Sequence, residues 1–480
     1  MNIAMIIYLL GRVMQVVGAM MTAPFIVSLI YGERSGLYFL ICGVLTVTAG
    51  TLLTIKKPAK SAFYAKEGFV MTALSWVLLS ALGALPLYFS GEIPSYTDAL
   101  FECISGFTTT GASIVPVVED LSKSVNFWRC FIQLIGGMGV LVFLLALLPV
   151  TGAQDLYIMK AESPGPDVGK LMPRVRQTAF YLYIIYFALT AAMVIALLIA
   201  GMPFYDSLCA AFATTSTGGF GIKNASLGAY DANIQYVVSV FLFFAGINYN
   251  FYFYIWMKRV KEAINIEEVK AYTGIFAAAV FFISMSLMIR GNYDAEPAFR
   301  YAFFQVGSIM TTAGFSTFDF DTWPALAREI LIFLMLIGGC AGSTCGGVKI
   351  SRVILYLKML GREIMGLCHP KLVKTIRMDG KRVEDDVLRS SLVFLAAYAI
   401  IFVVSILVIS FDDYDFTTNF TAVASALGNI GPGFSLVGPT RNFAHFSVLS
   451  KCVLMFDMLA GRLEIFPMLV ILTPATWKRK

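Results

Sequence analysis

Four short stretches of Thr, Gly and small residues carry the chemistry this sequence can support: FTTTGAS at 107–113, TTSTGGFG at 214–221, MTTAGFS at 310–316 and LGNIGPGF at 427–434. Their aligned glycines are Gly111, Gly219, Gly314 and Gly431, spaced by 108, 95 and 117 residues, too far apart for a solenoid and suited to a duplicated module. Backbone carbonyls and Thr hydroxyls offer oxygen ligands for a cation. A backbone that turns successive carbonyls toward one axis needs positive φ, which glycine adopts freely, and a ring of carbonyls replaces the water shell of a dehydrated ion. The expected filter residues are Thr109, Thr110 and Gly111; Thr217, Gly218 and Gly219; Thr312, Ala313 and Gly314; and Asn429, Ile430 and Gly431. The fourth set departs most, with Asn429, Ile430 and then Pro432 behind the glycine, and predicts a backbone path of its own. The Thr hydroxyls have a second reading, as donors to local carbonyls within membrane helices.

Elements of a particular kind must position these stretches. After the first two apolar runs the chain repeats one plan four times: apolar span, short apolar segment, Thr/Gly stretch, apolar span. A short segment such as 98–107 reaches only ~15 Å as a helix, half of a ~30 Å hydrocarbon core. It enters the membrane and turns back, and non-helical backbone at that depth survives only against protein or a water-filled cavity. Four such turns therefore belong around one axis. Asp98 and Asp206, each thirteen residues before their glycine, read as N-caps of the short helices. The opposite ends would aim partial negative charge at the axis, where it favours a cation.

Composition agrees with a membrane setting: of 480 residues, 58% are hydrophobic and 14% charged, and mean hydropathy is +0.77. Ten apolar runs of spanning length are expected, near 3–30, 36–55, 69–90, 127–150, 177–201, 235–257, 272–290, 328–358, 388–411 and 446–474. Of 36 Lys and Arg, 25 fall in four connections and the C-terminus on one side, nine on the other, and Arg12 and Arg462 within spans. The positive-inside rule makes the first side cytoplasmic, with both termini inside. The net charge of +6 thus reports topology and gives no reason to expect nucleic acid as a partner. The acidic excess of the outer loops would concentrate cations at the mouth. Met1–Ile30 reads as a retained helix, too long for a signal peptide. Eight Cys, mostly in apolar runs, read as free thiols, and with only His369 and His445 available no metal site is expected. No hydrolase or metalloprotease motif occurs, so an enzyme is not expected.

Two features interrupt the spans. LIGGCAGSTCGGVK at 336–349 places Gly338, Gly339, Gly342, Gly346 and Gly347 within ten residues, about mid-membrane. At ~1 kcal/mol per glycine relative to alanine, a straight helix is disfavoured; a flexible gate loop is expected, against the alternative of close helix packing through small residues. Arg462 lies inside the last span, where a cation is by default functional. Asp457 and Glu464 do not share its face, so its partner must come from another helix, the loop or pore water.

The four filter sequences, their order, the two extra N-terminal helices and the length resemble a Trk-type potassium uptake subunit of the Trk/Ktr/HKT superfamily of bacteria, fungi and plants. The resemblance covers essentially the whole chain. It implies an all-α integral membrane protein with four fused helix/pore-loop/helix repeats around one pore: two N-terminal helices at 1–66, then repeats at 67–165, 166–268, 269–382 and 383–480. It implies potassium uptake across the cytoplasmic (inner) membrane, K⁺ being the transported ion, with no organic cofactor. A Ser at the first filter position is associated in the plant branch with sodium, so Gly111 favours potassium. The loop at 338–347 and Arg462 would form a gate. A cytosolic nucleotide-binding Trk regulatory subunit, docking on the basic segments 349–382 and 258–270, and a homodimer in membrane lipid would be the partners. The alternative is a secondary cation transporter, a symport working by alternating access.

Overall fold

A computed structural model describes residues 2–56, 58, 65–139, 175–369 and 375–478. Among these, six helices are long and apolar enough to cross a bilayer: Ile3–Tyr31, Gly36–Thr54, Lys66–Phe89, Phe180–Ile199, Glu267–Arg290 and Asp385–Asp412. Ala232–Ala245 and Tyr249–Trp256 form a seventh, bent by 89° at its break.

The first two spans pack on each other through glycine. A Cβ on Gly18 would stand 2.7 Å from the Gly43 carbonyl oxygen, and one on Gly50 would stand 2.6 Å from that of Gly11. Backbones approach this closely only where side chains are absent, the usual basis of helix contact in lipid.

Four quarters follow, each with a leading helix, a short helix and a closing helix. The leading helices are Ala65–Phe89, Val175–Ile199, Glu267–Arg290 and Asp385–Ile409. The short helices are Tyr96–Phe107, Phe204–Thr215, Ala295–Met310 and Phe416–Gly428. At 12 to 16 residues they are ~18–24 Å long, too short to cross. Among the described residues one short hairpin, Arg377–Met378 with Lys381–Arg382, stands apart from this helical plan.

The closing helices are the main departure from the ten expected spans. Runs 235–257, 328–358 and 446–474 are not continuous: the helices Ala232–Ala245, Ala325–Ile337 and Val448–Arg462 stop, and Tyr249–Trp256, Ile350–Cys368 and Phe466–Leu472 resume after a break. In the first quarter the closing helix Lys123–Gly137 also stops, and the rest of run 127–150 lies outside the described residues. Positive φ marks three of these breaks, at Gly139 (82°), Gly338 (76°) with Lys349 (77°), and Glu464 (58°) with Ile465 (68°), whereas the second-quarter break between Ala245 and Tyr249 has none. The sequence advertises only the glycine-rich break.

Two smaller expectations are corrected. Asp98 and Asp206 are not N-caps; those positions are Ser95, whose hydroxyl accepts from Asp98 N–H, and Pro203. Both acids sit in the first helical turn, where a carboxylate still favours the helix dipole, and their oxygens accept from Lys451 Nζ and Tyr230 Oη at 2.8 Å each. Arg129, counted with the outer-face charges, is buried with Glu102 at 1% and 0% exposure and 2.6 Å separation.

Gly18→Leu should destabilise the N-terminal pair by ~1–3 kcal/mol through overpacking. The expected readout is a lower melting temperature in detergent, with ion selectivity unaltered because this pair lies outside the quarters.

Candidate ion pathway

Each short helix ends in the same way. An N–H just past the helix folds back onto a carbonyl five residues earlier: Thr110 N–H reaches Ser105 O at 2.8 Å, Gly218 N–H reaches Ala213 O at 2.7 Å, Ala313 N–H reaches Ser308 O at 2.8 Å and Ile430 N–H reaches Ser425 O at 2.9 Å. A second bond in each, such as Thr109 N–H to Gly106 O at 3.1 Å, completes a Schellman turn. Such turns need a left-handed residue, normally Gly. Here it is Thr109 (φ 54°), Thr217 (55°), Thr312 (58°) and Asn429 (54°). Thr in this region is strained, by about 1–3 kcal/mol per residue, and persists only where its surroundings hold it. Asn429 follows the other three, so the fourth quarter shares their path as far as this residue. It diverges at the glycine, where φ is 104° at Gly431 against 77–79° at Gly111, Gly219 and Gly314.

The four glycines close a ring in chain order. A Cβ on Gly111 would stand 2.1 Å from Gly218 O, on Gly219 1.7 Å from Ala313 O, on Gly314 1.9 Å from Ile430 O, and on Gly431 2.9 Å from Thr110 O. Each turn therefore lies against the next, and the last returns to the first. The Thr hydroxyls fall into two sets, of which the first has the expected role of donor to local carbonyls. Those of Thr108, Thr215 and Thr311 donate to carbonyls four residues back, at 2.6–2.8 Å. Those of Thr109, Thr217 and Thr312 meet groups of other segments, Thr217 Oγ1 also bonding Ser216 O at 2.7 Å.

A cavity of about 150 Å³ opens where the chain continues past the ring, and all four glycines line it. Its charged lining residues are Arg129, Lys223 and Arg441, with no carboxylate among them. The acidic excess expected at the mouth is thus not what surrounds this cavity.

On the other side of the ring the segment from Gly338 to Lys349 touches the second, third and fourth quarters, and Arg462 links it to the first. Thr217 Oγ1 donates to Thr344 Oγ1 at 3.2 Å, and Gly346 N–H donates to Thr312 Oγ1 at 2.7 Å. Gly346 is pressed on the fourth quarter, where a Cβ would meet Gly428 O at 2.2 Å. Arg462 completes the set: Nη1 donates to Thr344 O at 2.7 Å and Thr109 Oγ1 at 3.3 Å, and Nη2 donates to Gly136 O at 2.6 Å and Gly137 O at 2.5 Å. Its partners come from another helix and from the loop, as the helical geometry requires. Gly338 (φ 76°), Gly342 (67°) and Gly347 (78°) turn the loop, while Gly339 is fixed by contact, a Cβ there meeting Cys345 Sγ at 2.6 Å.

The loop's two ends are tied by Glu268, which the sequence did not single out. Its Oε1 accepts from Ala341 N–H at 2.6 Å and Ser351 N–H at 3.0 Å, and its Oε2 from Asn248 Nδ2 at 3.1 Å. Asn248 lies in the second quarter's break, and that break also docks the loop through Cys340 N–H to Gly246 O and Tyr249 N–H to Gly342 O, both 3.1 Å. Arg352 pairs with Glu464, joining the resumed third closing helix to the fourth break. Glu268 sits at the start of a span, where an acid reads as a helix-terminal charge, so periodicity gives no signal for it. Glu102 and Arg129 had one: each lies in an apolar run. Every described Cys is unpaired, and no metal-binding cluster occurs among the described residues.

This is a helical membrane protein whose four quasi-equivalent quarters surround one axis. A model of the TrkH family, described as a cation transport protein, matches residues 36–478. The chain is 37% identical over 465 residues to the Trk system potassium uptake protein TrkH of Salmonella typhimurium, covering 95% of this chain and 96% of that one. It is 34% identical over 484 residues to the protein of the same name from Halomonas elongata, with all of both chains covered. The crystal structure of the potassium transporter TrkH from Vibrio parahaemolyticus superposes with a TM-score of 0.89 at 34% identity over the full length of both chains. The chain belongs to the TrkH family.

Alanine at the ring glycines should be graded by the clash each Cβ meets. Gly219→Ala and Gly314→Ala should be most damaging and Gly431→Ala least, with a loss of roughly tenfold or more in ion preference at the first two. Flux of K⁺, Rb⁺, Na⁺ and Li⁺ into liposomes measures it; equal effects at all four positions would contradict the ring order.

Proposed function

We propose that this chain takes up potassium through a channel-like pore, with the ring at Gly111, Gly219, Gly314 and Gly431 as its selectivity filter. The closed contact sequence of the four turns carries this reading, since four strained turns meeting in order have no evident packing purpose. The names of the relatives, potassium uptake proteins of the Trk system, support the choice of ion. Filter ligands are drawn from Thr109 to Gly111, Thr217 to Gly219, Thr312 to Gly314 and Asn429 to Gly431. Both termini are cytoplasmic in this reading, by the distribution of Lys and Arg.

The loop from Gly338 to Lys349 acts as the gate. It lies against three quarters directly and is tied to the first through Arg462, so an ion leaving the ring meets it. Arg462 serves as a hydrogen-bonded latch more than as a charge barrier: its planar fork joins the loop, the end of the helix Lys123–Gly137 and the strained Thr109, a geometry that an ammonium does not reproduce. Opening would come from a cytosolic nucleotide-binding regulatory subunit on the basic segments near 258–270 and 349–382, with the chain working as a homodimer. The multi-component Trk system in the relatives' names supports a partner.

Arg462→Ala and Arg462→Lys should both raise K⁺ flux without any partner, several-fold, with ion preference unchanged. Parental flux in Arg462→Lys beside a rise in Arg462→Ala would mark a charge barrier instead. Currents from single molecules in a planar bilayer test the pore itself: unitary steps far above carrier turnover are expected, and their absence at full activity in liposomes would favour alternating access.

A further inference from the structure

Three quarters hold the strand that follows their glycine with polar side chains of their own short helix. In the first, Glu102, nine residues before Gly111, accepts from Ile114 N–H at 2.9 Å and Ser113 Oγ at 3.1 Å. In the third, Gln305, nine before Gly314, donates to Phe315 O at 3.4 Å, joined by Ser308 Oγ at 2.6 Å. In the fourth, Thr421 Oγ1 accepts from Phe434 N–H and Ser425 Oγ donates to Gly431 O, at 2.9 and 2.5 Å. The second quarter has Ala210 nine residues before Gly219, and Ala210 has no polar group to offer.

Its support comes from a neighbour. Gln133, on the first quarter's closing helix, is fully buried. Its Nε2 donates to Gly218 O at 2.6 Å and its Oε1 accepts from Phe220 N–H at 3.1 Å, so one carboxamide grips the residues on both sides of Gly219. The packing is tight: a Cβ on Gly218 would stand 2.5 Å from the Gln133 carboxamide carbon. One turn earlier on the same helix face, Arg129 donates to Gly221 O at 3.3 Å and lies over the Phe220 ring at 4.4 Å. Corresponding positions in two other closing helices are apolar. Gly136 and Gly461 both press on their own short helix, which aligns Gln133 with Met458; Gly137 and Gly246 both press on the next one, which aligns it with Leu242.

We propose that Gln133 is the residue that positions the second quarter of the filter, so that discrimination of K⁺ from Na⁺ depends on it. The inference rests on the reading of the glycine ring as the filter. Gly218 O is the atom against which Gly111 packs, so releasing it loosens the contact between the first and second quarters as well as the second turn itself. A ring that relaxes inward suits a smaller ion, and the error falls on selectivity before it falls on throughput.

The test uses the full chain in liposomes, with K⁺ and Na⁺ flux measured per inserted protein. Gln133→Leu removes both bonds at similar volume; Gln133→Glu keeps an acceptor for Phe220 N–H and sets a second oxygen against Gly218 O. Preference for K⁺ over Na⁺ should fall by roughly tenfold in each, the equivalent of ~1.4 kcal/mol. Leu242→Met, at the matched apolar position, should retain it. Should Gln133→Leu fail to accumulate, Gln133→Met, unbranched and of similar length, replaces it with the same expectation. A purely structural role would lower abundance or melting temperature and leave the ion ratio intact, and that result overturns the proposal. Gly219→Ala is measured in parallel: if it shifts the ratio while the Gln133 variants do not, this inference alone falls, and if neither shifts it, the filter reading falls with it.

Discussion

Backbone hydrogen bonding at the middle of the membrane is the constraint on which the rest depends. A helix that stops halfway leaves carbonyls and N–H groups with no water to satisfy them. Each short helix answers with a Schellman turn, and each turn demands a left-handed residue. Glycine there would relax the backbone but would extend nothing toward the neighbouring segments. Thr and Asn accept the strain and carry an oxygen or amide beyond the helix: Thr217 and Thr312 to the loop, Thr109 to Arg462, Asn429 to Thr110 and the Met458 carbonyl.

The same residues therefore terminate the short helices and seat whatever lies beneath them. Ring and loop are one hydrogen-bonded body, joined through side chains whose backbones are held off their preferred conformations. Other strained positions in the closing helices, Lys349, Glu464 and Ile465, stand at the ends of the broken segments. Of the thirteen described non-glycine residues with positive φ, seven lie in the four turns and the broken closing segments, and the other six, Ser226, Lys258, Asn292, Asp379, Asp413 and Ser435, lie in connecting loops and turns.

How much of this the sequence disclosed follows from what repeats in it. The four glycines, the short segments and the two N-terminal helices were legible because spacing and apolar length are properties of the chain alone. The Gly-rich loop was legible because five glycines exceed what helix packing needs. Arg462 was found by its charge, and the direction of its partners by helical rotation. The breaks at Gly246–Asn248 and Leu463–Ile465 were not, since one glycine or a strained Ile leaves apolar hydropathy intact. Gln133 and Glu268 were also missed. Each acts on backbone atoms of a distant segment, and no local pattern records which carbonyl or N–H a side chain will meet.

The ring is built from one covalent chain, and its four joints are unequal, three pressed hard together and the joint from Gly431 to Thr110 open by most of an ångström more. In an assembly of identical subunits any substitution strikes four places at once. Here every ring position can be altered singly, and every brace behind it differs in chemistry: a carboxylate, a borrowed amide, a paired amide and hydroxyl, a hydroxyl pair. Inheritance can thus explore such a ring in quarter steps, with small changes accumulating where a change at all four places at once would break it.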